Sequence, residues 1–370
     1  MKIGILKETK KGEMRVSISP NIAKQLVEKG FDVVVEDDAG LSSKFKNSDY
    51  RNIGATVETR GVVYKDSDIL IKINPFEEEG LKLVDDSHIL MCQLFHKSNP
   101  DLVKLIASTG ATAFSMDAMP RISRAQDMDV LSSQNNLAGY KAVIRGAYEM
   151  TKIFPLMMTA AGTITPSRVL VYGVGVAGLQ AIATAKRLGA VVEATDIRLE
   201  TKEQTESLGA KFITVDNTGE KSEKGYAKAA SEDYAKRQKE AVNQSLFKAD
   251  LVITTAMVPG RRSPVLITAE QVKQMKNGAV IIDLAAAQGG NCELSKMGRM
   301  VVKHGVKIIG TTISPESVST NASDLYAKNM YNFIMHLTKD NAFKWDLEEE
   351  ITDETLIIHQ GKIRKNQKTK

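Results

Sequence analysis

One short run, Val169-Leu-Val-Tyr-Gly173-Val-Gly175-Val-Ala-Gly178, constrains the fold of this 370-residue chain more than any other. It begins as an apolar strand and leads into a helical pattern at residues 179–188, which is the context of a dinucleotide-binding turn. Gly173 permits the tight turn, Gly175 admits a pyrophosphate, and Gly178 lets the helix pack on the strand. We expect the pyrophosphate at the helix N-terminus, where free amides and the helix dipole favour negative charge.

The ribose-binding position of this unit is predicted to be Asp196, which follows Gly178 by 18 residues and ends the next predicted strand. A carboxylate there accepts hydrogen bonds from ribose hydroxyls and repels a 2′-phosphate, so it favours NAD over NADP. Arg198 has the opposite preference, because an arginine at this point can hold a 2′-phosphate. We give Asp196 more weight, since it occupies the usual position, and we predict NAD.

Short apolar runs alternate with amphipathic helical patterns, as in an α/β fold whose parallel sheets are covered on both faces. The predicted strands are residues 2–6, 31–36, 55–58, 69–73, 87–93 and 111–116, then 168–172, 190–195, 211–215, 250–255, 279–283 and 306–310. A long helix at 132–154, stopped by Pro155, separates the two sets, and a second helix at 323–337 returns the chain. We therefore predict two Rossmann-like, doubly wound parallel-sheet domains, joined by long helices and separated by a cleft that holds the chemistry. Their boundaries are residues 1–131 with 317–370, and residues 132–316.

Composition excludes several classes of function. Hydrophobic residues make up 42% and charged residues 26% of the chain, and the net charge is only +5, as in a soluble globular protein. Cys92 and Cys292 lie far apart and the five histidines lack ligand spacing, so we expect neither a disulfide framework nor a metal site. We interpret the basic C-terminus as a frayed, solvated tail rather than a nucleic-acid or lipid surface: Lys362, Arg364, Lys365, Lys368 and Lys370.

A charged stretch at residues 216–244 interrupts the regular spacing of the second domain. Connections of this length are usually functional lids or disordered linkers. One interpretation is a mobile flap over the cofactor, with Gly225 and Tyr226 near its tip and Gln238 on the helix behind it. The other is a solvated insertion, and the sequence leaves both open.

A polar segment, residues 119–134, is the second informative motif: Met-Pro-Arg-Ile-Ser-Arg-Ala-Gln-Asp-Met-Asp-Val-Leu-Ser-Ser-Gln. Exposed polar clusters at domain junctions usually bind ligands. The same residues also suit the start of the long helix, with Asp129 or Ser132 as N-cap. The two roles are compatible, and we predict both.

Together these motifs resemble the soluble NAD(H)-binding alpha subunit (domain I) of proton-translocating NAD(P) transhydrogenases, within the alanine dehydrogenase/transhydrogenase family. The resemblance extends to Lys7-Glu8, Arg15-Val16, Thr255-Ala-Met-Val-Pro-Gly260, Ile281-Ile-Asp-Leu-Ala, Gly289-Gly-Asn-Cys-Glu and Lys303-His-Gly-Val-Lys. It implies an oxidoreductase and translocase that passes a hydride, with AB (Si-Re) specificity, between NAD(H) and NADP(H) on a partner beta subunit.

The same resemblance implies how the chain is assembled and where it works. A membrane-spanning subunit would couple hydride transfer to proton translocation, and the chain would be a homodimer. Because the sequence reaches Lys370 without a membrane span, we expect both partners to be separate polypeptides. The chain itself would be cytoplasmic, and peripheral to the membrane through those partners.

By resemblance, the polar segment lines the nicotinamide and its ribose through Arg121, Ile122, Ser123, Gln126, Asp127, Met128, Asp129 and Ser132. Hydride transfer needs no acid or base at the reacting carbons, so the protein must orient the rings. Gln126 and Ser132 would hold the carboxamide or ribose. Arg121 would neutralise phosphate or reach the partner's cofactor, and Asp129 would orient Arg121 or favour the oxidised ring. The remaining implied cofactor contacts are Val174, Val176, Ile197, Arg198, Gly225, Gln238 and Met257, with Tyr226 as a catalytic flap residue.

Two alternatives remain. Alanine dehydrogenase shares this architecture, but its chemistry needs an acid/base pair. The position of its aspartate is Ala287 here, and Phe95 aligns with its histidine while His96 is displaced by one. Arg15 and Lys72 match its carboxylate-binding positions and do not discriminate. The other alternative is a non-catalytic dinucleotide sensor, which would need no Gln126.

Overall fold

The computed structural model describes residues 1–215, 232–257, 261–310, 315–344 and 346–364. The chain divides into two compact units, one of Met1–Gln134 with Pro315–Lys370 and the other of Asn135–Ser314. The strands are β1 (Lys2–Ile5), β2 (Asp32–Glu36), β3 (Thr56–Glu58), β4 (Ile69–Ile71), β5 (Ile89–Cys92), β6 (Thr112–Ser115), β7 (Met157–Thr159), β8 (Gly162–Ile164), β9 (Arg168–Tyr172), β10 (Val191–Thr195), β11 (Lys211–Phe212), β12 (Leu251–Thr254), β13 (Val280–Asp283), β14 (Met300–Lys303), β15 (Val306–Ile309), β16 (Thr338–Lys339), β17 (Ala342–Phe343), β18 (Leu356–His359) and β19 (Lys362–Ile363).

The α-helices are α1 (Pro20–Glu28), α2 (Asn47–Arg51), α3 (Arg60–Asp66), α4 (Glu78–Leu81), α5 (Pro100–Ser108), α6 (Val130–Glu149), α7 (Val176–Arg187), α8 (Thr201–Ser207), α9 (Glu232–Lys248), α10 (Ala269–Lys273), α11 (Ser319–Leu337) and α12 (Glu350–Thr355). Short 3₁₀ helices cover Leu41–Ser43, Met116–Ala118, Ser123–Met128, Ala286–Gln288 and Pro315–Val318. None of the described helices combines the length and the apolar composition that crossing a bilayer requires.

The first unit is built on a sheet of order β19-β18-β6-β5-β4-β1-β2-β3. Strands β1 to β6 are parallel, whereas β18 and β19 are antiparallel at one edge. Strands β4 and β5 are buried along their whole length, because apolar clusters cover both faces of the sheet. Helix α11 belongs to one of these clusters through Tyr326, Met330 and Phe333. The C-terminal residues are therefore part of this unit's core.

The second unit has the sheet order β11-β10-β9-β12-β13-β15-β14, which is the dinucleotide-fold order with an antiparallel edge strand, β14. The strand order reverses between β9 and β12, which pair in parallel. Ligands of such sheets bind beyond the carboxyl ends of the strands at this switch point. The glycine turn (residues 173–178) follows β9, and Thr255 follows β12, so both lie at that position. The predicted α/β fold with two domains and mainly parallel sheets is confirmed.

Several elements differ from the sequence prediction. Helix α6 ends at Glu149, not at residue 154, because Lys307 Nζ donates to the Glu149 carbonyl at 2.9 Å and so satisfies the helix end. The hairpin of β7 and β8 was not predicted, since its residues are exposed and show no alternation. The frayed-tail interpretation is wrong for Lys362 and Arg364: Lys362 begins β19, and Arg364 pairs with Asp353. Residues 365–370 lie outside the described part of the chain.

Candidate functional site

The glycine turn owes its shape to two positions where no side chain fits. A Cβ on Gly178 would lie 1.9 Å from the carbonyl oxygen of Gly173, and Gly173 itself has φ +88°. Thr255 Oγ1 donates to the same carbonyl at 2.9 Å, which ties the turn to the end of β12. A Cβ on Gly175, by contrast, would meet none of the described residues within 4 Å, so nothing in that part of the chain blocks a ligand over the turn.

Helix α7 begins directly at this turn. Its N-cap is Gly175, which has no side chain to accept a hydrogen bond from the first amides. The first N–H groups of a helix have no partner within the helix, and the helix dipole adds partial positive charge there. A pyrophosphate therefore fits the residues present, and NAD is the dinucleotide that this turn and Asp196 together suit.

Asp196 lies beyond the end of β10 with its carboxylate almost fully enclosed. Oδ2 accepts from Val174 N at 2.7 Å, and Oδ1 accepts from Arg198 N at 2.9 Å. The Arg198 guanidinium adds two bonds, Nε to Oδ1 and Nη2 to Oδ2, both 3.0 Å. Burial raises the pKa of Asp196, but these hydrogen bonds outweigh burial, so its pKa lies below the usual value. The group is an anion at neutral pH.

A buried network behind the turn holds the ends of β12 and β13. The Asp283 carboxylate accepts from Thr254 Oγ1 at 3.0 Å and from the backbone amides of Asn291 and Cys292 at 2.9 and 3.1 Å. Asn291 Oδ1 accepts from Ala256 N at 3.0 Å, and its Nδ2 donates to the carbonyls of Ala256 and Pro264, both at 2.8 Å. Asn291 thus fixes the backbone next to Met257 from both sides.

In the first unit the polar segment includes the 3₁₀ helix Ser123–Met128. Ala125 and Met128 are buried in the apolar core, so their neighbours Gln126 and Asp127 are exposed. Arg124 Nη1 pairs with Glu349 Oε1 at 2.7 Å and Nη2 with Glu350 Oε2 at 3.3 Å. Buried residues and ion pairs thereby hold the backbone of this segment, and its polar side chains face outward.

Helix α11 holds the same segment by its backbone. Asn329 Nδ2 donates to the carbonyl of Asp127 at 2.7 Å, and Asn332 Nδ2 donates to the same oxygen at 3.1 Å. Asn329 is 7% exposed, so its amide is a core hydrogen bond. Two donors share one carbonyl oxygen, which holds the peptide between Asp127 and Met128 in place.

Asp129 and Ser132 form the start of α6. Asp129 Oδ1 accepts from Ser132 N at 3.0 Å, and Ser132 Oγ donates to Asp129 Oδ2 at 2.6 Å. The predicted capping role of Asp129 is therefore confirmed. The two side chains are half-buried and locked to each other.

Arg15 and Lys72 match the positions that bind the substrate carboxylate in alanine dehydrogenases. Both side chains already have partners inside the first unit. Arg15 forks onto Glu13 with bonds of 2.7 and 2.6 Å and donates to Gln134 Oε1 at 2.8 Å. Lys72 is fully buried and pairs with Glu77. An external carboxylate would have to compete with these internal ones.

Models of both domains of one family match nearly the whole chain. The model "Alanine dehydrogenase/PNT, N-terminal domain" matches residues 4–138, and its C-terminal counterpart matches residues 142–366. The chain belongs to the alanine dehydrogenase/PNT family.

Within this family, the chain is 52% identical to the first part of the NAD(P) transhydrogenase subunit alpha of Rhodospirillum rubrum, over 98% of this chain and 97% of that protein. The crystal structure of transhydrogenase from Sinorhizobium meliloti matches with a TM-score of 0.90 at 41% identity, covering 98% of this chain and 100% of the other. Alanine dehydrogenase 1 of Staphylococcus aureus is 27% identical over 98% of this chain and 94% of its own. The resemblance to transhydrogenase alpha subunits is confirmed.

Other residues predicted from the family pattern lie in varied surroundings. Val174 is buried, and its amide is bonded to Asp196, whereas Val176, Ile197 and Met257 are 39%, 98% and 38% exposed. Gln238 pairs with backbone, accepting from Val215 N at 3.1 Å and donating to Ile213 O at 2.8 Å. The remaining polar-segment residues are exposed or half-buried: Arg121, Ile122 and Ser123. Gly225 and Tyr226, and with them the flap prediction, lie outside the described residues.

Sequence reasoning missed the groups that hold the site in place. Asp283 and Asn291 occur in runs that carry the family resemblance. Nothing in the local sequence shows that Asp283 accepts hydrogen bonds from Thr254 and two backbone amides, or that Asn291 bonds to the backbone of Ala256 and Pro264. Asn329 and Asn332 are spaced three residues apart on a predicted helix, which puts them on one face. That spacing was the available signal, although the carbonyl they share is about 200 residues away.

Proposed function

We propose that this chain is the NAD(H)-binding alpha subunit of a proton-translocating NAD(P) transhydrogenase. It binds NAD(H) on the second unit and exchanges a hydride with NADP(H) held by a partner beta subunit. The observation that carries the proposal is the anchored polar segment with Gln126 and Asp127 exposed, in a chain that also has the glycine turn and a charged Asp196. The proposal includes the predicted domain boundaries, residues 1–131 with 317–370 and residues 132–316.

The residues have the following roles in this proposal. Amides at the start of α7 bind the pyrophosphate, and Asp196 binds the ribose hydroxyls. Gln126 and Ser132 orient the carboxamide and the nicotinamide ribose, and Arg121 supplies positive charge. Bound nicotinamide gives or accepts the hydride, and the protein supplies position and electrostatics. Tyr226 and Gly225 exclude water from the cofactor, and the other predicted contacts line it.

Alanine dehydrogenation has less support. The position that holds an aspartate in alanine dehydrogenases is Ala287 here, an exposed residue of the 3₁₀ helix Ala286–Gln288. Its methyl side chain has no titratable proton to transfer. Phe95, at the position of its histidine, has φ +45° and donates its amide to Asp117 Oδ1 at 3.0 Å. Neither member of the acid/base pair that alanine dehydrogenation needs is therefore present at its position, whereas direct hydride exchange requires no acid or base.

The test is absorbance-monitored hydride transfer from NADH to a thionicotinamide analogue of NADP, with and without a purified NADP-binding beta subunit. Transfer only when both proteins are present supports the proposal. No transfer with a beta subunit that is active with another alpha subunit contradicts it. Alanine-dependent reduction of NAD by this chain alone would point to the dehydrogenase instead.

We further propose that the chain is a homodimer that lies on the cytoplasmic side of a membrane through its beta and membrane-spanning partners. The β7–β8 hairpin supports the homodimer, because it and the residue before it expose several large apolar side chains. Met157, Met158 and Ile164 on it are 43%, 76% and 42% exposed, and Leu156 directly before it is 57% exposed. Exposed apolar patches of this kind mark protein–protein contacts.

A further inference from the structure

Helix α6 approaches the start of helix α7 through a glycine. A Cβ on Gly139 would lie 2.1 Å from the carbonyl oxygen of Ala177, and 2.9 and 3.0 Å from the carbonyl carbon and Cα of the same residue. Both residues belong to the second unit, and Ala177 is the second residue of α7, within the glycine turn. Non-bonded atoms do not approach this closely, so a side chain at position 139 would require the backbone of α6 or α7 to move.

Buried neighbours hold both helices against such a shift. On α6, Ala142 and Val143 lie one turn further along and are fully buried. On α7, Ala181 is fully buried as well, and all three residues belong to one apolar cluster. A close-packed interior resists the movement of a helix, because the movement opens voids and forces overlaps. The first turn of α7 is less constrained, since its amides have no partners within the helix, so the Ala177 peptide is the part that would be displaced.

The displaced peptide contains an amide of the pyrophosphate site. Because a peptide unit is planar, the Ala177 carbonyl and the Gly178 N–H move together. Leu179 N donates to Gly175 O at 2.8 Å, which is the first intrahelical bond, and the Gly178 N–H is the last amide before it. The amides before that bond are the ones that donate to a phosphate at a helix N-terminus. A methyl group on residue 139 would therefore misplace a donor of the site.

We propose that Gly139 is a positioning residue of the pyrophosphate site. Because it has no side chain, α6 packs directly on the Ala177 carbonyl and so holds the Gly178 N–H where a pyrophosphate requires it. Gly139 does not contact the ligand in this proposal; it acts through the backbone of Ala177. The inference rests on the proposed binding of NAD(H) to this unit.

A purely structural role for Gly139 would give a different result from this positioning role. General damage to the second unit would weaken every ligand that binds there. Displacement of one phosphate-binding amide should weaken only the ligands that carry a phosphate group. Ligands that share the adenosine group and differ in phosphate therefore distinguish the two roles.

The experiment measures the Kd of NADH, ADP and adenosine on the full chain, by isothermal titration calorimetry for the first two and by ligand-observed NMR for adenosine. The variant is Gly139→Ala, and the matched control is Gly146→Ala, at a second buried glycine of α6. Both changes place an alanine in the interior of one helix, so the gain in helix propensity is the same. A Cβ on Gly146 would lie 2.6 Å from Leu251 Cδ1, which is a side-chain atom. Leu251 begins β12, at the other end of that strand from Thr255 and the glycine turn.

We expect Gly139→Ala to bind NADH and ADP about tenfold to hundredfold more weakly than the native chain, because a charge-assisted hydrogen bond to phosphate is bent or lost. The Kd of adenosine should change less than about twofold, since adenosine carries no phosphate. Gly146→Ala should leave all of these Kd values within about twofold of native.

The inference is overturned by an unchanged Kd of ADP in folded Gly139→Ala, by equal losses for ADP and adenosine, or by the same loss of ADP affinity in Gly146→Ala. If Gly139→Ala does not fold, Ala177→Gly takes its place, because it frees the same peptide while the close contact with α6 remains. Ala177→Gly should weaken ADP but not adenosine, and an unchanged Kd of ADP in that variant also overturns the inference. Native protein that binds neither NADH nor ADP would instead contradict the proposed function.

Discussion

At the scale of single residues, two glycines of the turn have different roles. Gly178 is needed for folding, whereas Gly175 is needed for binding the ligand. Gly178→Ala should lower the melting temperature, because its Cβ would lie 1.9 Å from a backbone oxygen. Gly175→Ala should leave stability within about 1 kcal/mol of native, since its φ is −86° and its Cβ meets none of the described residues. A bound pyrophosphate would meet the new methyl, so NADH affinity should fall about tenfold or more. Differential scanning fluorimetry and NADH titration measure the two effects, and a destabilised Gly175→Ala beside a stable Gly178→Ala would contradict both roles.

Gln126 is the residue whose substitution we expect to affect the rate of hydride transfer much more than the affinity for NADH. Its side chain is exposed on a segment with buried anchors, so Gln126→Asn shortens the side chain without disturbing the core. Hydride transfer should slow by about tenfold or more, while the Kd of NADH changes less than about threefold. Stopped-flow transfer and equilibrium titration on one preparation provide the comparison. Equal losses in both would reduce Gln126 to a binding residue.

What the sequence reveals at this scale depends on distance along the chain. Gly173, Gly175, Gly178 and Asp196 are recognisable because the turn is a local pattern, with spacing set by one βαβ unit. The pairing of Arg198 with Asp196 could not be read in advance, because a side chain two residues away can point in either direction. Asn291 was beyond prediction, since its three partners depend on how β12 and β13 are paired.

At the scale of secondary-structure elements, α11 positions the polar segment. Asn329→Ala removes the buried 2.7 Å bond to the Asp127 carbonyl, whereas Asn332→Ala removes a longer bond from a half-buried side chain. We expect a loss of about 1–3 kcal/mol in the free energy of unfolding for Asn329→Ala and less than about 1 kcal/mol for Asn332→Ala. Hydride transfer should slow more in Asn329→Ala than in Asn332→Ala, with the Kd of NADH little changed in both. Urea denaturation and stopped-flow transfer test this; a larger effect from Asn332→Ala would refute it.

Glu349 joins three elements and should give the first unit an acid-sensitive contact. It caps α12, pairs with Arg124 and accepts from His336 Nε2 at 2.9 Å. Burial raises its pKa, but hydrogen bonds from Thr352 N, Ile351 N and His336 lower it to about 2. Because the folded pKa lies below the unfolded one, the stabilisation is complete above about pH 4.5 and is lost as the pH falls towards 2.

Glu349→Gln should therefore lower the free energy of unfolding by about 1–3 kcal/mol at pH 6, and the difference from native should shrink below pH 4. Urea titrations at a series of pH values measure it. A difference independent of pH would show that the carboxylate charge contributes nothing. Glu348→Gln is the control, as a neighbouring carboxylate whose side chain is outside these contacts.

At the scale of the whole molecule, alternation of apolar strands with helices predicted most of both sheets. Near-continuous apolar runs such as β4 and β5 are readable because both faces of a parallel sheet are covered. The antiparallel strands β14 and β19 escaped prediction because they are short strands at the edges of their sheets. Strand β18 is buried and apolar between β19 and β6, but its four residues are too few for a periodic pattern. The end of α6 was misplaced because Lys307, from a distant strand, donates to the carbonyl of its last residue, Glu149.

The proposed homodimer is testable through the β7–β8 hairpin. Met158→Asp places a charge on a side chain that is 76% exposed, so the fold of one chain should be unaffected. If the hairpin contacts a second copy, burying that charge is costly and the dimer should dissociate at micromolar concentration. Sedimentation velocity measures the mass, with Met297→Asp, at 65% exposure, as the control. A dimer that persists in Met158→Asp would remove the hairpin from the interface.

The division of the first unit between the two ends of the chain sets the order in which a ribosome can complete it. Roughly 200 residues separate Gln134 from Leu337, the last residue of α11, and their synthesis takes about 10–40 s. Throughout that interval Phe114 lacks Phe333, whose ring lies 5.5 Å from its own in the finished protein. Residues 135–314 are contiguous and can close their sheet as they emerge. The segment of the chain that is made first is thus the last to fold, and its uncovered sheet is the surface that a chaperone would meet.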